Sequence, residues 1–327
     1  MNRKQRRNFG KKVGQMDITR LKDTLFRVIL ASSDSELDKI FAMSENVLEK
    51  VLFPRSIRGL GSGQIYISLS RNFTESLDFA LYIIEKFSFQ IAEYIRIKNI
   101  YENYLFSCKY KEAKRTISKI EDKVGISLWS CGQKLILAEQ EKGLEGNKRL
   151  LSQYLEVASK NRFLSALLEF FSYRAEEGTS LNNYNEKVDK FLKNFEEDEI
   201  IFRYFSYKLQ LQKIDFEDNM KYIFQIDCQF SAIDMYNSFI EILQRAFVNG
   251  VKVNELIWDK IKRVSSLIDD FRINNLLAFR GEKVHPALKK NVLRCLELYT
   301  LREYEATIEE LSKYLEQNYN DFQMWII

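Results

Sequence analysis

Only two prolines and twelve glycines punctuate 327 residues. At average usage of about 7% glycine and 5% proline, a chain of this length carries nearly twice that glycine and several times that proline. Sandwiches, barrels and doubly wound sheets need many turns with positive or proline-fixed φ. A chain so poor in both is expected to be all-α, with long helices joined by short polar links. Its composition, 46% hydrophobic and 29% charged, leaves material for a large core.

Apolar residues recur at helical spacing along most of the chain. Two helices are expected between Asp17 and Phe53, the second opening at a Ser32-Ser33-Asp34 cap and stopping at Pro54. Residues 54–72 break the pattern: Arg55, Arg58, Gly59, Gly61 and Gly63 precede an alternating run, Ile65 to Leu69, that suits a short strand. A mobile loop is the expectation there, with a phosphate cradle of backbone N–H groups as the sharper alternative. Fourteen further helices are expected, beginning with 73–92 and 94–107 and ending with 303–317. The organisation read from this is a flexible basic arm (1–16), an N-terminal helical segment with the Gly-rich loop (17–72), and a run of helical hairpins (73–327).

One phrase recurs within that run. Tyr110-Lys111-Glu112-Ala113 opens a helix after a short turn, and Phe216 to Asn219 and Tyr304 to Thr307 do the same. Weaker copies start at Leu144 and Tyr184, so the large apolar residue falls at 110, 144, 184 and 216, with a further copy at 304. A large residue at a helix start plugs the crevice within a hairpin, and a small one three places on lets the next helix approach. The repeat-packing positions are therefore Tyr110, Ala113, Leu144, Tyr184, Phe216 and Tyr304.

This phrase resembles the tetratricopeptide repeat, whose second helix opens with Tyr-x-x-Ala on a 34-residue period. Tyr110 and Ala113 match it fully, while Thr307 and Asn219 replace the alanine in two copies. The resemblance covers about residues 94–226 and 286–327. It implies a right-handed α-solenoid of TPR-like hairpins whose groove, lined by first helices, holds a protein or peptide segment. Groove candidates are Tyr101, Asn103, Tyr104, Lys134, Arg203, Tyr204, Tyr207 and Lys208, although aromatic residues at helical spacing are more simply read as core. The function this implies is a non-enzymatic interaction scaffold or regulator.

Charge suggests a second class of partner. Arg3, Lys4, Arg6, Arg7, Lys11 and Lys12 stand without an acid in the first twelve residues, and the remainder is nearly neutral. With Arg55, Arg58 and Arg71, such an arm suits nucleic acid bound by charge. Signs of catalysis are few. The single histidine excludes triads and multi-histidine metal sites, and no cofactor or metal is expected. Arg280 and His285 have the Arg-x4-His spacing that is similar to the HEPN ribonuclease signature, yet Gly281 and Pro286 favour a linker. Acidic clusters at Asp269-Asp270 and Glu196 to Glu199 are read as helix caps.

Cys108, Cys131, Cys228 and Cys295 are widely spaced and are expected to be buried free thiols in a cytoplasmic protein. The apolar end, Met324, Trp325, Ile326 and Ile327, is expected to meet another subunit or a continuation of the chain.

Overall fold

A computed structural model describes residues 18–32, 34–61, 64–158, 161–197, 199–210, 220–281 and 290–318. Among them every regular element is helical. In chain order these are α1 (Ile18–Ala31), α2 (Asp34–Leu52), α3 (Ile57–Leu60), α4 (Phe73–Lys86), α5 (Ser88–Phe106), α6 (Tyr110–Val124), α7 (Leu128–Ala158) and α8 (Arg162–Ala175). They continue as α9 (Leu181–Leu192), α10 (Ile200–Leu209), α11 (Lys221–Phe230), α12 (Ala232–Val248), α13 (Glu255–Leu267), α14 (Phe271–Phe279), α15 (Lys290–Thr300) and α16 (Tyr304–Gln317). α7 is interrupted at Gly143, whose φ of 63° and ψ of −162° divide it close to the break expected at that glycine. The break expected near residue 93 instead falls at Phe87, because Ile91, Tyr94 and Ile95 continue the buried face of α5.

Helices pair mainly with their sequence neighbours: α5 with α6, α7 with α8, α11 with α12, α15 with α16. The turns leading into two copies of the recurring phrase share one geometry. Cys108 (φ 55°) and Arg302 (φ 59°) both take the left-handed conformation after a helix. In each, the next N–H reaches back to the helix, Lys109 to the Tyr104 carbonyl at 2.8 Å and Glu303 to the Leu298 carbonyl at 3.0 Å. This is the Schellman closure that usually takes glycine. The small position three residues into the following helix is buried in both copies, as Ala113 and Thr307. Tyr184 is buried, and its hydroxyl donates to the Leu209 carbonyl at 2.9 Å. Tyr110 is half-buried and Tyr304 is 37% exposed. Leu144 does not plug a crevice, being 52% exposed. The close approach there is made by Asn147, which is fully buried and exchanges hydrogen bonds with Ser172. Phe216 lies outside the described residues.

The N-terminal helices fold back on the later ones. α4 packs on α11, α12 and α13, and α1 and α2 reach α11. One hydrophobic core runs from Leu25 to Leu277, and a small second cluster joins α15 to α16. α12 crosses the middle, with twelve of its 17 residues buried.

The Gly-rich loop, expected to be mobile, is tied to its neighbours at its described residues. Ser56 caps α3, Lys22 donates to the Gly59 and Leu60 carbonyls, and Asn161 donates to the Gly61 carbonyl. The alternating run does not form a strand, because it has no strand to pair with. Gln225 and Gln229, one turn apart on α11, take that place: Gln229 pairs with the N–H and C=O of Tyr66, and Gln225 with those of Ser68. Two arginines read as phosphate contacts close helix ends. Arg55 donates to the Glu121, Asp122 and Lys123 carbonyls at the end of α6, and Arg71 to the Leu30 and Ser32 carbonyls after α1. Gly125 follows α6 with φ +80°, and a side chain there would meet the backbone of Phe53 and Pro54. All four cysteines are free, and Cys131, Cys228 and Cys295 are buried, but Cys108 is exposed on its tight turn. No described helix is long and apolar enough to cross a membrane.

Candidate functional site: a cationic cavity over α12

α12 is apolar on most of its surface, yet Asn237, Glu241, Gln244 and Arg245 recur at positions i, i+4, i+7 and i+8, with Ile240 among them. On a helix those residues share one face. They form the floor of a cavity of about 360 Å³. Its walls come from α5 (Lys98), α7 (Trp129), α8 (Arg174), α10 (Tyr207 and Lys208), α14 (Phe271 and Arg272), α15 (Tyr299) and the Arg302–Tyr304 turn. Six cationic side chains line it, against one carboxylate, Glu241.

Three of the cations are neutralised from behind. Lys98 pairs with Glu102 within α5; burial pulls its pKa below the ordinary lysine value despite that partner. Lys208 lies 2.6 Å from the buried Asp227 and 2.8 Å from the Ser238 hydroxyl. Burial would lower the Lys208 pKa, but the charges of Asp227 and Glu241 more than restore it. Arg272 grips Asp270 through two nitrogens and reaches the Asn237 amide oxygen at 3.0 Å. Asp270 is also the N-cap of α14, as its acidic cluster suggested. Burial pushes its carboxyl up, yet Arg272 outweighs that and leaves it below the usual carboxylate range.

For the other three cations, Glu241 is the one acid in the lining. Its carboxylate is 3.4 Å from Arg245 and 3.8 Å from Arg302, while Arg174 has no carboxylate among the described residues. Arg302 is held in place by the Gln210 and Tyr207 carbonyls. Arg245 is buried and lies over the Tyr207 ring at 5.2 Å, and its Nε, the atom that faces Glu241 at 3.4 Å, makes no close hydrogen bond. Neither does the buried Tyr207 hydroxyl. Buried polar groups are nearly always paired. Two buried donors whose nearest acid is the shared Glu241, in a lining of six cations and one carboxylate, mark a place suited to an anion.

Of the groove candidates, Tyr207 and Lys208 line this cavity. Tyr101 and Tyr204 are core: Tyr101 packs edge-on against Trp129 at 5.7 Å, and Tyr204 donates to Asp227 at 2.7 Å. Lys134 is paired with Glu121, Asn103 is exposed, and Tyr104 and Arg203 are half-buried outside the cavity lining. The basic-arm residues Arg3, Lys4, Arg6, Arg7, Lys11 and Lys12 lie outside the described residues, as do His285 and the end from Met324 to Ile327. Arg280 is paired with Glu255. Sequence reasoning missed Arg174, Asn237, Glu241, Gln244, Arg245, Arg272 and Arg302. The usable signal was the polar stripe of α12 inside an otherwise apolar helix.

No family model matches the chain. No solved structure matches it either. Among curated proteins it is similar to the Detocs histidine-protein kinase DtcA of Enterobacter cloacae (strain JD6301), at 20% identity over 185 residues. That match covers 56% of this chain and 17% of the kinase, so the chain spans about a sixth of its relative's length.

Proposed function

We propose that the chain is a non-enzymatic scaffold or regulator that holds a short acidic segment of another protein in the cavity over α12. The observation that carries this is the lining itself: six cations against one carboxylate, interleaved with Trp129, Tyr207, Tyr299 and Tyr304. Charge of one sign in a cleft attracts and orients the opposite sign, and aromatic walls add contact area at low entropic cost. The stripe from Asn237 to Arg245 is about 12 Å long at 1.5 Å per residue. An extended segment rises about 3.3 Å per residue, so three or four of its residues fit along the stripe. Gln244 and Gln210 supply amides for its backbone.

The fold we propose is a right-handed, TPR-like solenoid whose first turn is covered by α1–α4. The sequential hairpins and the matching Cys108 and Arg302 turns support it. Four unpaired cysteines are in keeping with a reducing compartment such as the cytoplasm.

A displayed library of random peptides tests the role. Selection on the full chain is expected to enrich acidic sequences. Gln244 is half-buried on the cavity floor, so Gln244→Glu places a like charge against them. That variant is expected to weaken binding at least about tenfold, and Gln244→Lys to tighten it. Enriched peptides without acids, or binding indifferent to both variants, would sink the proposal.

A further inference from the structure

The two ends of the cavity differ in how their positive charge is answered. At the α5/α14 end Arg272 and Lys98 each have their own carboxylate, and Lys208 on α10 has Asp227. At the α8/α15 end Glu241 is shared between Arg245 and Arg302, and Arg174 stands without a carboxylate among the described residues. Two buried donors that make no close hydrogen bond, Arg245 Nε and Tyr207 Oη, belong to this second end, and both face the single Glu241 carboxylate. An arginine Nε can only donate a hydrogen bond. Burial, and after it the charge of Glu241, holds the Tyr207 hydroxyl well above its ordinary pKa, so it keeps its proton and can donate too. Burial and then the charge of Arg245 press the Arg302 guanidinium below its ordinary value, a repulsion that a negative ligand would relieve.

What fits is a group with several acceptor oxygens and more than one negative charge. A carboxylate brings two oxygens and one charge. Guanidinium forks match the tetrahedral oxygens of a phosphate in pairs, and a phosphate monoester is largely dianionic near neutral pH. We infer that Arg174, Arg245 and Arg302, with the Tyr207 hydroxyl, form a binding site for a phosphate monoester. This rests on the reading of the cavity as the recognition site and names the group that the site takes. The phosphate comes either from a phosphorylated side chain of the bound segment or from a small phosphorylated molecule.

Arg174 is the residue to test, since it is exposed and has no hydrogen bond or ion pair among the described residues, so its loss leaves the fold intact. The full chain is titrated by calorimetry with inorganic phosphate, with a selected acidic peptide carrying phosphoserine, and with the same peptide carrying serine. The phosphoserine peptide is expected to bind about tenfold to a hundredfold more tightly than the serine form. Arg174→Gln is expected to remove about tenfold of that gain and to weaken the serine peptide by a much smaller factor, and inorganic phosphate should compete far better with the phosphorylated form. Arg245→Lys, which keeps the charge and loses the fork, is expected to reduce the same preference, with the circular dichroism of each variant reporting an intact fold.

Equal affinity for the two peptides, or phosphate binding untouched by both variants, would overturn the phosphate site while leaving the acidic-segment reading in place. If inorganic phosphate binds in an Arg174-dependent way and no peptide does, the site stands, its phosphate comes from a small molecule, and the acidic-segment reading fails.

Discussion

Asp227→Ala is expected to destabilise the protein by about 3–5 kcal/mol, the size measured when one partner of a buried ion pair is removed. Asp227 is fully buried on α11, where it accepts from the Tyr204 hydroxyl of α10 at 2.7 Å and from the Ser238 hydroxyl of α12. Lys208 of α10 lies 2.6 Å from the same oxygen that Ser238 reaches. Two helices that line the cavity, α10 and α12, thus meet α11 at one carboxylate. Without it, the Lys208 ammonium loses the one carboxylate that pairs with it among the described residues, in a site where burial already disfavours its charge. Against a typical total of about 5–15 kcal/mol, that is a large loss. Asp227→Leu combined with Lys208→Met is expected to recover much of it, since replacing both charges by apolar groups is often close to neutral. Chemical denaturation of the two variants checks this. A loss below about 1 kcal/mol in Asp227→Ala would mean that the carboxylate does not join the three helices as described.

Alkaline pH should unfold the protein abruptly. Burial, the largest cause in each case, raises the pKa of Tyr94, Tyr101, Tyr154, Tyr184, Tyr204, Tyr207 and Tyr236, with Tyr184 pushed up to about 12 and the others higher. In the unfolded chain each would ionise near pH 10. A group whose folded pKa is raised contributes stability that is fully present below the unfolded value. That stability is lost as pH rises toward the folded value. Above about pH 10 each such tyrosine removes about 1.4 kcal/mol per pH unit, and seven act together. Tyrosinate absorbance should therefore rise first for the exposed tyrosines. A second, cooperative rise should then coincide with loss of helical circular dichroism between about pH 10 and 12. A single smooth titration near pH 10 with the helix signal intact would contradict the burial of these rings.

Much of the fold was legible because helix formation is local. Two prolines leave few ways to end a helix, so gaps in apolar periodicity fall close to true ends, and Gly143 and Gly250 mark real breaks. Cys108 and Arg302 hid the matching turn because neither is the glycine that usually marks it. The strap around Tyr66 and Ser68 was illegible for a different reason. Its partners Gln225 and Gln229 lie about 160 residues away, and glutamine amides imitate a strand edge without any β-pattern. The cavity was mostly hidden as well. Lys98, Arg174, Arg245 and Arg302 come from four separate helices and turns, and nothing in their local sequence brings them together. Only α12 carried a trace, since polar residues on one face of an otherwise buried helix must face either water or a cavity. Tyr101 and Tyr204 show the opposite error: a polar tip on a large ring suggested a groove, but Gln133 and Asp227 satisfy the hydroxyls inside the core.

The central claim is that the face of α12 from Asn237 to Arg245 is where a ligand sits. Hydrogen exchange of the full chain, with and without a selected acidic peptide at saturation, tests this most directly. Added protection is expected in α12, at the end of α10, and at the turn between α15 and α16, with α6 and α9 unchanged. Protection on the outer face of α6, around Lys111 and Arg115, with α12 unaffected, would contradict it.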